Sequence, residues 1–151
     1  MAWKKGRGRL GVFEALLGRW VAEQDTERGH LRCTRRLAKV LEGKFLRLEV
    51  SWEFPGSVYE ELAIIGVDPG DKTVRFWSFT SDGKRSMGTL ADVSDLHPQA
   101  VGFEAQMDAG HARQAYWPAA DGVGFHWVVE SRTKKGWKRF VEHLYRPVDA
   151  D

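Results

Sequence analysis

The sequence has little cysteine or proline: Cys33 is its single cysteine, and only five prolines occur among 151 residues. One cysteine excludes a disulfide within the chain and is typical of proteins kept in a reducing compartment. No apolar run approaches the roughly 20 residues of a membrane-spanning helix, so none is predicted. Neither sign of charge dominates, because 23 Lys and Arg stand against 21 Asp and Glu. With 42% hydrophobic residues, this balance is that of an ordinary folded domain.

The length fits one compact domain, and no linker or change of composition divides it, so a single domain over residues 1–151 is predicted. Residues 1–9 are predicted to form a flexible basic arm. They resemble the charged region of a signal peptide, but the apolar stretch 10–17 that follows is too short and contains Glu14. No export is predicted, and a cytoplasmic location is expected.

Positive charge is concentrated near the start of the chain. Residues 1–40 hold ten Lys and Arg against four Asp and Glu, whereas the remainder carries a net charge of −4. Arg32, Thr34 and Arg36 could form a basic strand face for an acidic partner, but a solvated face explains them better. Nucleic acid is therefore not the expected partner.

The hydrophobic period changes early in the chain. Leu10, Phe13 and Leu16 recur at helical spacing and Gly18 can end the turn, so a short N-terminal helix is predicted. Beyond it the period is two, most clearly over 46–54, where apolar and polar residues alternate.

Turn residues then recur every 10–14 residues, as in an up-and-down antiparallel sheet. The segments between them predict ten strands, near 19–27, 30–42, 44–54, 57–67, 73–80, 84–92, 99–107, 111–118, 123–132 and 136–146. An open sheet of ten strands would leave two exposed edges, and closure into a barrel removes them. The predicted fold is therefore all-β, an antiparallel barrel of about ten strands, wide enough to enclose a ligand.

One element allows two interpretations. Trp137, Phe140, Val141 and Leu144 also fit helical spacing, so residues 136–146 could form a terminal helix lying across a curved sheet, as in the START-like superfamily. A hairpin turn at 134–136 favours the strand.

The stretch from Leu16 to Trp20 resembles the opening of a calycin, the superfamily of lipocalins, fatty-acid-binding proteins and nitrobindins. There a short helix closes one end of the barrel and Gly-x-Trp, here Gly18 and Trp20, starts the first strand. Segments 43–46, 66–69 and 137–146 are similar to those of an uncharacterised bacterial calycin-like family. The resemblance covers nearly the whole chain and implies a calycin-like barrel.

Fatty-acid-binding proteins hold a carboxylate with an Arg-x-Tyr on the last strand, where this chain has His143 and, two residues later, Tyr145. The resemblance implies that both side chains point into the cavity together with Val141, Arg139 and Trp137. The alternative is a buried His–Tyr pair bonded to its strand neighbours.

Four tryptophans on separate strands are further candidate ligand contacts, although the same side chains could simply fill the barrel: Trp20, Trp52, Trp77 and Trp127. The expected function is binding of a small apolar or fatty-acid-like molecule without catalysis. No oligomeric state is predicted, with a homodimer as one option. A structural or interaction barrel without a ligand is the other non-enzymatic reading.

Enzymatic alternatives rest on few residues. Nitrobindins bind haem through a late histidine, which would be His143, but two glycines that follow their opening Trp are missing here, so no cofactor is expected. Acid–base catalysis by Glu61 with His143, and a Cys33 nucleophile, are weaker options. Zinc is not predicted, because the histidines fall on different elements without ligand spacing.

Overall fold

A computed structural model describes residues 3–107 and 110–148. It is a closed barrel of ten antiparallel strands, each paired with its neighbours in sequence, with β1 and β10 closing the ring. One 3₁₀-helix, Arg9–Leu16, precedes the barrel. The strands are β1 (Gly18–Thr26), β2 (Gly29–Val40), β3 (Phe45–Phe54), β4 (Ser57–Val67), β5 (Val74–Thr80), β6 (Arg85–Ala91), β7 (Val101–Met107), β8 (Gly110–Pro118), β9 (Phe125–Thr133) and β10 (Gly136–Pro147).

The sequence-based prediction of a ten-stranded all-β barrel with a short N-terminal helix is confirmed. Each strand begins and ends within two residues of its predicted bounds. Residues 108–109 of one predicted turn lie outside the described residues. Among the described residues, no helix is long and apolar enough to cross a membrane.

Residues 136–146 form a strand and not the alternative helix. The pairing of β10 with β9 shifts register between Arg139 and Val141, which marks a β-bulge at Phe140. A bulge inserts one extra residue and reverses the alternation of faces beyond it. Apolar side chains on both sides of the bulge therefore produced the helix-like spacing.

The helix closes one end of the barrel. Phe13 stacks on Phe103 of β7 with 5.5 Å between ring centroids. Trp20 donates from Nε1 to the Leu16 carbonyl at 2.9 Å and packs edge-on against Phe125 at 4.9 Å. Burying these aromatic side chains fixes the helix over the strands. The helix and these side chains therefore cover this end of the barrel.

The segment predicted as a flexible arm contacts the same end. Trp3 packs against the barrel core, and the Gly6 amide donates to the Gly11 carbonyl at 2.8 Å. Residues 1 and 2 of the predicted arm lie outside the described residues.

A second apolar cluster lies outside the barrel. Val93, in the segment between β6 and β7, is buried against Ala115 of β8 and Val128 of β9. Nearby, the Arg113 guanidinium contacts Glu130 at 2.8 Å and Asp95 at 2.9 Å. This segment therefore covers the outer face of β8 and β9.

Candidate functional site

A cavity of about 300 Å³ opens at the end of the barrel opposite the helix. We call it the mouth cavity. Side chains from eight strands, β3 to β10, line it. Its principal lining residues are Trp52, Tyr59, Glu61, Phe103, Gln114 and Trp127.

Three aromatic rings form one wall of the mouth cavity. Trp52 stands edge-to-face to Tyr59, with centroids 6.4 Å apart and planes at 90°. It stands likewise to Trp127, at 6.1 Å and 80°. Trp52 and Trp127 pack with the barrel core, and Tyr59, which pairs with Trp52 across β3 and β4, is 36% exposed. The wall therefore offers π faces and edges in several directions.

The polar groups of the cavity are few. Ser78 donates from Oγ to Oε2 of Glu61 at 2.5 Å, and no hydrogen bond to Oε1 of Glu61 occurs among the described residues. The side-chain amide oxygen of Gln114, Oε1, accepts from Nε1 of Trp127 at 3.0 Å. A mostly apolar hole with a few placed polar groups is typical of a small-molecule site.

His143 and Tyr145 lie beneath this cavity and do not line it. Both are buried, with 2% and 0% of their surfaces exposed, and Nδ1 of His143 lies 3.4 Å from the Tyr145 hydroxyl. The His143 ring packs against Trp52 at 4.9 Å and Trp127 at 5.4 Å. Burial, with the charge of Arg35, lowers the pKa of His143 to about 4, so the imidazole is neutral at pH 7.

Arg35 is the functional candidate that the sequence interpretation missed. Its guanidinium is buried at 3% exposure and donates to the Tyr116 hydroxyl, while its Nε has no hydrogen-bond partner. None of the ion pairs within 4 Å among the described residues includes it. The sequence did contain a sign of its position: Arg35 alternates with Cys33 and Leu37 on the apolar side of β2.

Aromatic faces surround the Arg35 charge. Its guanidinium carbon lies 4.7 Å from the Tyr116 ring centroid and 5.7 Å from those of Trp127 and Tyr145. Burial opposes the charge, but Tyr116, Tyr145 and Glu61 outweigh burial, and the pKa of Arg35 is raised. The Arg35 charge therefore lies among aromatic faces, with the Tyr116 hydroxyl and the Glu61 carboxylate favouring it.

The predicted tryptophans are placed in three different ways. Trp52 and Trp127 line the mouth cavity, whereas Trp20 lies at the closed end. The prediction is wrong in direction for Trp77, which points outward between Ile64 and Met87 while Phe76 and Ser78 point into the barrel. Because β5 carries aromatic side chains on both faces, its sequence did not reveal the inward face.

Arg139 and Trp137 also point outward, contrary to the expectation. The bulge in β10 reverses the alternation, so Val141 faces inward but Arg139 pairs with outward-facing Glu130 at 3.0 Å. Trp137 lies under the Arg113 guanidinium at 4.4 Å. Arg139 therefore belongs to an ion-pair network on the outer face and lies away from the cavity.

Haem binding by His143, nucleophilic catalysis by Cys33 and metal binding were the alternatives to ligand binding. The haem alternative stays a prediction: Trp52, Trp127 and Tyr145 pack around the His143 ring, and His143 does not line the mouth cavity. Burial raises the pKa of the Cys33 thiol to about 12, which opposes thiolate chemistry. Among the described residues, no group of three or more His, Cys, Asp or Glu side chains could hold a metal ion.

The basic residues of β2 lie on the outer face. Arg32 and Arg36 line an outer groove of about 690 Å³ together with Arg19. Glu49 and Glu60 line the same groove, so its charge is mixed. Binding of an acidic partner there stays a prediction.

The burial of His143 leads to a prediction about pH and stability. Because the folded pKa of about 4 lies below the ordinary 6.5, the unfolded chain binds a proton between these values that the folded chain does not. The free energy of unfolding should therefore fall by up to about 3 kcal/mol as the pH drops from 6.5 to 4. Urea unfolding of the wild type and a His143→Gln variant measures this, and the wild type should lose more stability. Parallel pH profiles would contradict the prediction.

The fold and the site define a class of protein: a closed, ten-stranded antiparallel barrel with a short helix at one end and a mostly apolar cavity at the other. Comparison with models of known protein families gave no match. Comparison with curated proteins gave none either.

Proposed function

We propose that this protein is a small-molecule-binding barrel of calycin-like type that holds a largely apolar ligand in its mouth cavity. The observation that carries the proposal is the cavity of about 300 Å³, which residues from eight strands line and to which seven of these strands contribute an aromatic or aliphatic side chain. Burial of apolar ligand surface against such a wall is the usual source of affinity in small-molecule sites.

The cavity size limits the ligand. A water molecule occupies about 30 Å³ in the liquid, so the cavity has room for about ten non-hydrogen atoms. A compact aromatic or short aliphatic molecule matches this volume, and the tail of a long fatty acid would protrude from the mouth.

The acid–base pair that the sequence suggested, Glu61 with His143, is not brought together in this cavity. Glu61 lines it, but His143 lies beneath its floor, and no hydrogen bond joins the two among the described residues. Binding without catalysis is therefore the function that the geometry supports best.

The mouth cavity predicts binding of tert-butylbenzene, a neutral probe of about ten non-hydrogen atoms. Titration should shift the indole N–H resonances of Trp52 and Trp127 in NMR spectra. An Ala105→Leu substitution, which fills the cavity, should weaken binding about tenfold or more.

An Ala38→Leu substitution is the matched control, because Ala38 lies on the outer side of β2, opposite Arg47. It should leave binding unchanged. Circular dichroism should show that both variants are folded. Absence of any shift in the wild type, or equal weakening by both variants, would overturn the proposed function.

A further inference from the structure

We propose that the mouth cavity selects a small organic cation, a tertiary or quaternary ammonium group attached to an apolar body. The inference rests on the proposed function, because it names the ligand class of the same cavity. The juxtaposition of the Trp52, Tyr59 and Trp127 rings with the Glu61 carboxylate carries it.

The three rings supply the geometry that an ammonium group needs. The negative face of an aromatic ring attracts a cation, and rings at steep angles to each other can enclose one from several sides. Tyr59 and Trp127 stand at 90° and 80° to Trp52, and all three rings line the cavity. The same ring faces would repel an anion.

Glu61 supplies the counter-charge. It lies on β4 two residues after Tyr59 and therefore on the same inward face. Ser78 fixes one carboxylate oxygen, Oε2, and Oε1 has no hydrogen-bond partner among the described residues. That oxygen can accept from a protonated amine or lie beside a quaternary ammonium group.

Among the described residues, Arg113 is the only basic one that lines the mouth cavity. Arg35 is buried and does not line the cavity, and its guanidinium donates to Tyr116 and faces aromatic rings. Its Nε has no hydrogen-bond partner among the described residues, and the Glu61 charge also acts on the guanidinium. Arg113 borders the cavity, but its guanidinium is bound to Glu130 and Asp95 on the outer side. Lys84 and Arg85 line an adjoining surface pocket that shares Tyr59 and Ser78 with the mouth cavity, whereas Glu61 lines the mouth cavity itself.

Three probes of similar size and different charge test the inference. They are phenyltrimethylammonium, the neutral isostere tert-butylbenzene and the anion 3-phenylpropanoate. Calorimetric titration should show that the cation binds about tenfold or more tightly than the neutral isostere. The anion should bind more weakly than either.

Glu61→Gln is the test variant, because its amide oxygen can still accept from Ser78 while the charge is lost. It should weaken binding of the cation about tenfold more than it weakens binding of tert-butylbenzene. The matched control is Glu60→Gln, which removes the neighbouring charge on the outer face of β4 and should change neither.

The outcomes separate the two proposals. Equal binding of cation and neutral isostere, preference for the anion, or an unchanged cation affinity in Glu61→Gln would overturn the cation inference and leave the cavity's binding function standing. Failure of all three probes to bind the wild type would overturn the proposed function as well.

Discussion

Replacing Glu130 with alanine is expected to destabilise the barrel by about 3–5 kcal/mol, because it removes one side of a buried ion-pair network. Glu130 is 4% exposed on the outer side of β9. It accepts from the Arg113 guanidinium at 2.8 Å and from Arg139 Nε at 3.0 Å. Arg113 is itself 5% exposed and would keep only Asp95 as its carboxylate partner. Urea unfolding followed by circular dichroism measures the loss.

Glu142→Ala is the matched control, since Glu142 pairs with the same Arg139 at 2.9 Å but is 55% exposed. An exposed pair contributes about 0–1 kcal/mol, so this variant should unfold nearly as the wild type does. If both variants lost a similar amount of unfolding free energy, burial of Glu130 would not be the reason that its ion pairs stabilise the barrel. Neither variant should change ligand binding, because both positions face away from the mouth cavity.

Replacing Gly124 with alanine is expected to cost about 3 kcal/mol or more, because two effects add. Gly124 has a φ of 89°, in the left-handed region that favours glycine. A Cβ at this position would also lie 2.0 Å from the Tyr145 carbonyl oxygen, so the backbones of the turn before β9 and of β10 would have to separate. Thermal unfolding should show a much lower Tm, and the variant could fail to accumulate as folded protein in the cell.

Gly83→Ala separates the two effects. Gly83 has a similar φ of 84°, but a Cβ there would meet no atom within 4 Å. Its cost should therefore be the dihedral strain alone, about 1–2 kcal/mol. Equal losses at both glycines would show that the close approach of Gly124 to Tyr145 is relieved at little cost.

The strands could be predicted because their signals are local. In β3, apolar Leu46, Leu48 and Val50 alternate with polar residues, and they point into the core. Turn residues mark each strand end, so the bounds follow from residues within a few positions. The predicted first and last residues of a strand differ from the observed ones only where pairing with a neighbouring strand lengthens or shortens it.

The candidate site was predicted only in part, because inward direction depends on register. Six residues were all predicted to contact the ligand: Trp52, Trp77, Trp127, Arg139, His143 and Tyr145. In the structure Trp52 and Trp127 line the cavity, His143 and Tyr145 are buried inside the barrel without lining it, and Trp77 and Arg139 point outward. One inserted residue at Phe140 reversed the face of Arg139, and the alternation in the sequence carries no mark of that insertion.

The amino-acid pattern by itself determined an all-β chain of ten strands with a helical start, because alternation and turn chemistry act over a few residues. Only the tertiary structure decided that Trp20 and Val21 of β1 meet Arg146 and Pro147 to close the ring. Closure in turn brings Arg35 beneath the aromatic wall and Glu61 into the mouth cavity. These placements join strands that are far apart in sequence, and their energies depend on the burial and charge that the neighbouring strands supply.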